Sequence, residues 1–221
     1  MFAKELIQFN LPTARPKTTI KNALQLMEKA HVHFLPIVEN NQCVGMLSET
    51  ALNAAANDQL KVEAFVQGGK LISITENEHF YEVFRLMLKH KLAILPANDT
   101  KGRYLGCILQ DTLLKTFSEI SSLQEPGSII VLEIPIRSYH LSEIAQIVES
   151  HNAAIMSLYL HTLPDSAIIE VTLKLNVLEI HDVLGSFERY NYKIKAYFAE
   201  NGLDQDFYRG RYDSLMQYLN V

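Results

Sequence analysis

Apolar residues in the first half of the chain alternate between helical and strand-like spacing, and they do so twice. Ile20, Ala23, Leu24 and Met27 recur at the three- and four-residue interval that places side chains on one helical face. Thr18 and Thr19 precede them and can accept hydrogen bonds from first-turn amides, so a helix is predicted to start there. Further on, Phe80, Val83, Phe84, Met87 and Leu88 repeat the stripe, behind Thr75 and Glu78 at capping-box spacing. After each stripe comes an apolar run ending near a Leu-Pro, a polar turn (ENNQ, then NDTKGR), a second apolar run through a glycine, and another helix. Both runs are nearly continuous in apolar residues, which predicts sheets covered on both faces.

The two stretches are copies. A shift of sixty positions superposes Leu11 on Leu71, Leu26 on Leu86, Met27 on Met87, Lys29 on Lys89, Leu35 on Leu95 and Pro36 on Pro96. One residue inserted in the next turn brings Gly45 onto Gly106 and Leu52 onto Leu113, a shift of sixty-one. An insertion that short belongs in a surface turn. Neither copy can bury its own sheet, so the pair is expected to fold as one pseudo-symmetric body, with residues 1–60 as the first repeat and 61–122 as the second.

The pattern then changes. SSLQEPGS, Ser121 to Ser128, joins Pro126-Gly127 to small polar residues, and 123–128 reads as a linker. Beyond it Ile129 to Ile136 reads as a strand, Leu141, Ile144, Ala145 and Val148 as a helical stripe, and Ala154 to Leu163 as a second strand. Pro164-Asp165-Ser166 turns the chain into a third strand, Ala167 to Leu175. A helix carrying Ile180, Val183, Leu184 and Phe187 and started by Asn176 follows, and a last strand spans Lys193 to Phe198. That order is βαββαβ, a ferredoxin-like unit over 129–199. Pro135 cannot donate to a sheet ladder and is expected at a bulge or at the end of its strand. The tail, 200–221, puts Tyr212, Leu215, Met216 and Leu219 on one face of an amphipathic helix.

Composition narrows the class. The 221 residues are 48% apolar with a net charge of −5, which describes a folded chain and argues against nucleic-acid binding, where a dense basic face is required. No apolar run approaches the roughly 18 residues of a membrane span. The opening MFAKELIQFNLP interrupts its apolar residues with Lys4 and Glu5, unlike an export signal, and a cytoplasmic location is expected. Cys43 and Cys107 both fall in strand-like runs and read as buried thiols.

The order of helix, Leu-Pro strand, turn, Gly-containing strand and helix resembles the cystathionine β-synthase (CBS) motif, and the tandem copy resembles the CBS pair. This resemblance covers residues 1 to 122. It implies an α/β (α+β) fold and a non-catalytic sensor with a small-ligand cleft, an adenine nucleotide (AMP, ADP or ATP) being one candidate. Family members that bind such nucleotides continue the second strand as Gly-x-x-Ser/Thr-x-x-Asp, the hydroxyl meeting phosphate and the carboxylate the ribose. The first copy reads Gly45-Met-Leu-Ser48-Glu-Thr-Ala51, keeping the hydroxyl and losing the carboxylate. The second reads Gly106-Cys-Ile-Leu109-Gln-Asp-Thr112, with Asp111 one position early. A lost charge-assisted bond, about 1.5–3 kcal/mol, weakens binding by roughly ten- to a hundredfold. Candidate site residues are therefore Ser48, Asp111 and Thr112, with His33 lining the first cleft and Pro36 and Pro96 near it. A degenerate pair that serves assembly or takes another ligand is the alternative.

The βαββαβ unit, with LSEIAQIVE after its first strand, resembles the ACT domain, a regulatory module that commonly binds amino acids. Tyr139 stands where such domains place a ligand-facing glycine, so amino-acid binding through that loop is not expected. A CBS pair followed by an ACT-type domain resembles the architecture of bacterial acetoin-utilisation regulators, which implies a cytoplasmic bacterial regulator. Stacking of CBS pairs and the open edges of an ACT sheet imply a homodimer, and the terminal helix offers a face to its own subunit or to a partner protein.

No catalytic residues are assigned. The eight histidines are scattered, His31 and His33 lying closest together, and lack companion ligands at metal-binding spacing. No Gly-rich phosphate loop, nucleophile elbow or zinc-protease helix is present, so the chain reads as a non-enzyme without a metal. Glu49 and Asp111 read as solvated acids at helix starts.

Overall fold

The computed structural model describes residues 1–55, 57–65, 71–162 and 166–199. Two compact units divide them, Met1–Thr116 and the residues from Phe117 onward.

In the first unit the two copies share one order of helix, hairpin and helix. Helix α1, Ile20–Ala30, is capped by Thr19, whose hydroxyl accepts from the Asn22 amide at 3.3 Å. Strands β1, Phe34–Glu39, and β2, Gln42–Ser48, pair antiparallel, and the five-residue helix α2, Glu49–Asn53, follows. In the second copy β3, Ile74–Thr75, runs parallel to β4, Ile94–Asn98, which pairs antiparallel with β5, Tyr104–Leu109. Helix α3, Phe80–His90, precedes β4, and α4, Gln110–Ile120, follows β5. In the first copy a single parallel bridge from Ala14 to Ile37 takes the place of β3. Both sheets carry a register shift at equivalent points, between Ile37 and Val38 and between Ala97 and Asn98. Helices α1 and α3 end on left-handed residues, His31 and Lys91, both with φ 52 and ψ 44. In β1 and β4 consecutive residues are buried, as runs apolar on both faces require.

The start of α3 differs from the sequence expectation. Thr75 belongs to β3, and the Glu78 carboxylate accepts from its amide at 3.3 Å, so the Thr-x-x-Glu spacing closes a turn. His79 caps the helix instead, its Nδ1 accepting from the Tyr81 amide. Pairing Thr75 with Asn98 holds it extended, and the helix cannot begin until the chain leaves the sheet.

The halves are not the sequence repeats. The short helical turn Ala3–Leu6 packs into the second core, where Ala3, Leu6 and Ile7 join Ile74, Phe80, Val83, Met87, Leu95 and Ile108. The equivalent turn Val62–Phe65 packs into the first core, where Val62 joins Ile20, Met27, Leu35, Ile37 and Leu47. Each copy thus sends its leading turn to the other's core. Gly106 permits one of these crossings: a Cβ there would lie 2.5 Å from the Gln8 carbonyl oxygen and 2.7 Å from Ile7 Cγ2.

The second unit is built from β6, Ser128–Pro135; α5, Leu141–Glu149; β7, Ile155–Thr162; β8, Ile168–Leu175; α6, His181–Arg189; and β9, Lys193–Phe198. Its antiparallel sheet has the order β7-β8-β6-β9, the ferredoxin-like arrangement. Ile130, Leu132 and Ile134 of β6 alternate inward with Val171 and Leu173 of β8, and α5 and α6 cover them with Ile144, Val148, Val183 and Phe187. The opposite face carries Glu133 paired with Lys193 and Glu170 paired with Lys195. Pro135 is the last residue of central β6, so the ladder interior keeps its donors. Asn176 does not start α6: its side-chain oxygen accepts from the Ala154 amide at 2.7 Å, bracing β8 against the entry to β7, and Ile180 stands at the N-cap. Tyr139 packs against the core. The expected turn at Pro164-Asp165 and the expected tail helix lie outside the described residues.

Candidate functional site

Where the two repeats of the first unit meet, Leu11, His31, His33, Phe34, Ile94 and Asp111 help to line a cleft of about 220 Å³. Two equivalent backbone bonds build it. The Glu49 amide donates to the His33 carbonyl at 2.9 Å, and the Gln110 amide donates to the Ala93 carbonyl at 3.0 Å. Each ties the start of the helix after a hairpin to the turn before that hairpin. The left-handed residue at His31 swings the chain out of α1 and brings His31 and His33 into the wall. Because a non-glycine left-handed residue is uncommon, its recurrence at Lys91 marks a turn geometry that both copies need.

Polar groups gather at this cleft. His33 Nδ1 lies 2.6 Å from Glu49 Oε2, an exposed contact joining the turn to the first residue of α2. Asp111, second residue of α4, lines the cleft with Gln110. Of the residues proposed from sequence, His33 and Asp111 are brought together. Ser48 caps α2, its hydroxyl accepting from the Ala51 amide at 3.2 Å. Thr112 faces elsewhere, its hydroxyl accepting from Gln8 Nε2 at 2.8 Å. Pro36 and Pro96 are buried inside β1 and β4, in register with Met46 and Cys107. None of these four is among the residues lining the cleft. Leu11, His31 and Gln110 escaped the sequence reading. Only His31 carried a signal, its place at the end of a helical stripe just before the strand.

The strongest electrostatic perturbations lie off the cleft. Burial pushes the Cys43 thiol up to about 12, with Cys107 adding to the shift, and burial pushes Cys107 to about 11. The Tyr104 hydroxyl, 3.3 Å from Cys107 Sγ, is also raised by burial and by that thiol. Asp99 closes the β4–β5 hairpin. It accepts from the Arg103 and Lys101 amides at 2.8 Å and from the Arg103 guanidinium at 2.6 Å. These donors, the Arg103 amide first, hold its carboxyl below the ordinary range. Among the described residues no cluster of three or more His, Cys, Asp or Glu is placed to hold a metal ion, and no helix is long and apolar enough to cross a membrane.

Residues 3–58 match the family model of the CBS domain. An uncharacterized protein of Methanocaldococcus jannaschii is 24% identical over 106 residues, 48% of this chain and 36% of that protein. The chain thus spans about a third of the length of that curated relative. A crystal structure of protein MJ1004 from the same archaeon aligns over 69% of this chain and 67% of its own with a TM-score of 0.51 at 20% identity, a likeness of fold. A CBS domain pair/ACT domain protein of Thermotoga maritima aligns with a TM-score of 0.48 at 18% identity, over 54% of this chain and 98% of that one. The chain has a mixed α/β fold in which residues 3–58 match the CBS family model.

Proposed function

We propose that the first unit is a CBS pair acting as a non-catalytic binding module, with a small ligand, an adenine nucleoside or nucleotide, held in the cleft between its repeats. One observation carries the reading: His33 and Asp111, from different repeats, line a single cavity framed by two equivalent backbone bonds. The placement of Asp111 supports a shifted ribose contact. A helix starting at Gln110 leaves Asp111 on the cleft, while Thr112 is engaged by Gln8. The ferredoxin-like unit is an ACT-type module in this reading, and the protein is a cytoplasmic homodimer in which ligand changes how subunits meet, as in CBS–ACT regulators.

A second reading has its own support. Ala51 and Thr112 replace both ribose carboxylates, and Ser48 is spent on a helix cap. That describes a pair retained for assembly with a partner protein and no small ligand.

Titration calorimetry with adenosine, AMP, ADP and ATP separates the two. Saturable binding of any of them, lost in Asp111→Ala, supports the sensor. No binding and no thermal stabilisation by any of the four supports the assembly module, since ligand at a hundred times its Kd stabilises by about 2.7 kcal/mol.

A further inference from the structure

A second polar cavity lies within the C-terminal unit, between α5 and α6. It has a volume of about 330 Å³ and is lined by Ser142, Glu143, Ser150, His151, Ser186 and Arg189, among others. Ser186 is 3% exposed, one of few buried polar side chains among the described residues. Its Oγ lies 2.7 Å from His151 Nε2 and 2.5 Å from Arg189 Nη2. The hydroxyl accepts from the guanidinium, and its second lone pair or its own proton meets the imidazole according to the ring's tautomer. One serine oxygen therefore holds an arginine and a histidine, from different elements, at a single point of the cavity. Ser186 is a bridge rather than a nucleophile, because it is buried and its oxygen is occupied by a cationic donor.

We propose that this cavity binds a tetrahedral phosphate group, free or as a small monoester. Arg189 is itself exposed, so its guanidinium fork reaches solvent and carries N–H donors beyond the one on Ser186. A planar carboxylate satisfies the fork alone. A tetrahedral oxyanion also presents oxygens to His151 on one side and to the hydroxyls of Ser142 and Ser150 on the other. The cavity's own carboxylate, Glu143, accepts from the Tyr192 hydroxyl at 2.6 Å, and burial, followed by that bond, raises the Tyr192 hydroxyl above its ordinary range. The tyrosine therefore stays a neutral donor to Glu143. The Glu143 carboxylate lines the same cavity as the ligand, and its replacement sets the sign of the test.

The experiment is a nitrogen–proton correlation titration of the full chain with inorganic phosphate, glycerol 3-phosphate and acetate, each at constant ionic strength. Saturable shifts at Ser186, His151 and Arg189 together are expected with both phosphates, and with acetate a weaker shift at Arg189 alone. Stronger binding of the ester than of inorganic phosphate identifies a carried phosphate; the reverse identifies the free ion. Arg189→Gln should weaken binding at least tenfold, and Glu143→Gln, which keeps a partner for Tyr192, should strengthen it. Equal response to acetate, no saturation with either phosphate, or weakening by Glu143→Gln overturns the proposal. Circular dichroism of each variant separates lost binding from lost fold, and Arg189→Lys should restore part of the affinity.

Discussion

The amide of Ala3 donates to the carbonyl of Glu78 at 2.8 Å, and the amide of Val62 donates to the carbonyl of Thr18 at 2.9 Å. These bonds are one contact written twice, each fastening a leading turn to the copy it does not precede. The adjacent pair repeats the relation: Lys4 bonds to Glu76 at 2.9 Å and Glu63 to Pro16 at 3.0 Å. Each core is therefore completed by residues distant in sequence, which makes the pair a single folding body with two local cores.

Leu6→Ala tests that exchange. Leu6 is 2% exposed in the second core, and truncating such a leucine costs about 2–5 kcal/mol. Hydrogen exchange should show the first loss of protection in α3, β4 and β5, sixty residues and more away in sequence, and a smaller one in α1 and β1. Val62→Ala should reverse the order. Greater loss in α1 than in α3 for Leu6→Ala would contradict the assignment of the turn.

Gly106→Ala tests the crossing that the glycine permits. The added Cβ meets a backbone oxygen, which cannot rotate away, so the segment through Ile7 and Gln8 must lift from β5. The cost expected is about 1–3 kcal/mol, typical of forced overpacking. It should come with loss of exchange protection at the Gln8 amide, which donates to Cys107 at 2.8 Å. An unchanged melting temperature would show that the segment is not held there.

Much of this fold is legible in the sequence because periodicity reports burial directly. The stripes at Ile20–Met27 and Phe80–Leu88 became α1 and α3, and βαββαβ order emerged from alternation such as Ile130, Leu132 and Ile134. The failures share a cause. Thr75 and Asn176 have residue types that start helices, but each was already committed to tertiary bonding, Thr75 in register with Asn98 and Asn176 to Ala154. Local propensity contributes about 1 kcal/mol at a cap and yields to a sheet ladder. At the cleft, residue type pointed to His33 and Asp111, but Leu11 and Gln110 enter it only through chain geometry, which no spacing encodes.

Asp99 gives the hairpin a pH dependence with a definite sign. Its folded carboxyl is held below the ordinary value of 3.8, so the stability it contributes is present above that pH and is lost as the pH falls through its folded value. Asp99→Asn should lower the melting temperature at neutral pH, and the gap from wild type should close as the pH drops below the ordinary Asp range. A gap that persists unchanged into acid would assign the effect to the turn amide geometry and not to charge.

The two thiols should be nearly inert in the folded protein. Cys107 is fully buried, and with thiol values near 11 and 12 the thiolate fraction of either cysteine at neutral pH is minute. A disulfide reagent should label both quickly in denaturant and neither at a comparable rate in native buffer. Rapid native labelling of Cys43, the more accessible of the pair, would mean that the β2 hairpin opens readily.

Asp111 and Thr112 are neighbours to which the proposed nucleotide reading gives different roles. If the ribose contact has moved one residue toward the start of α4, Asp111→Ala should weaken adenosine and AMP alike by roughly ten- to a hundredfold, the loss of one charge-assisted bond. Thr112→Ala should leave affinity intact and lower stability by about 0.5–1.5 kcal/mol, because its hydroxyl accepts from Gln8 and fastens the exchanged N-terminal segment. Calorimetry for binding and thermal unfolding for stability read the two effects independently. The opposite pattern, with affinity following Thr112 and stability following Asp111, would place the ribose one residue further along the helix. The cleft lined by His33 and Asp111 would then hold something other than a nucleoside.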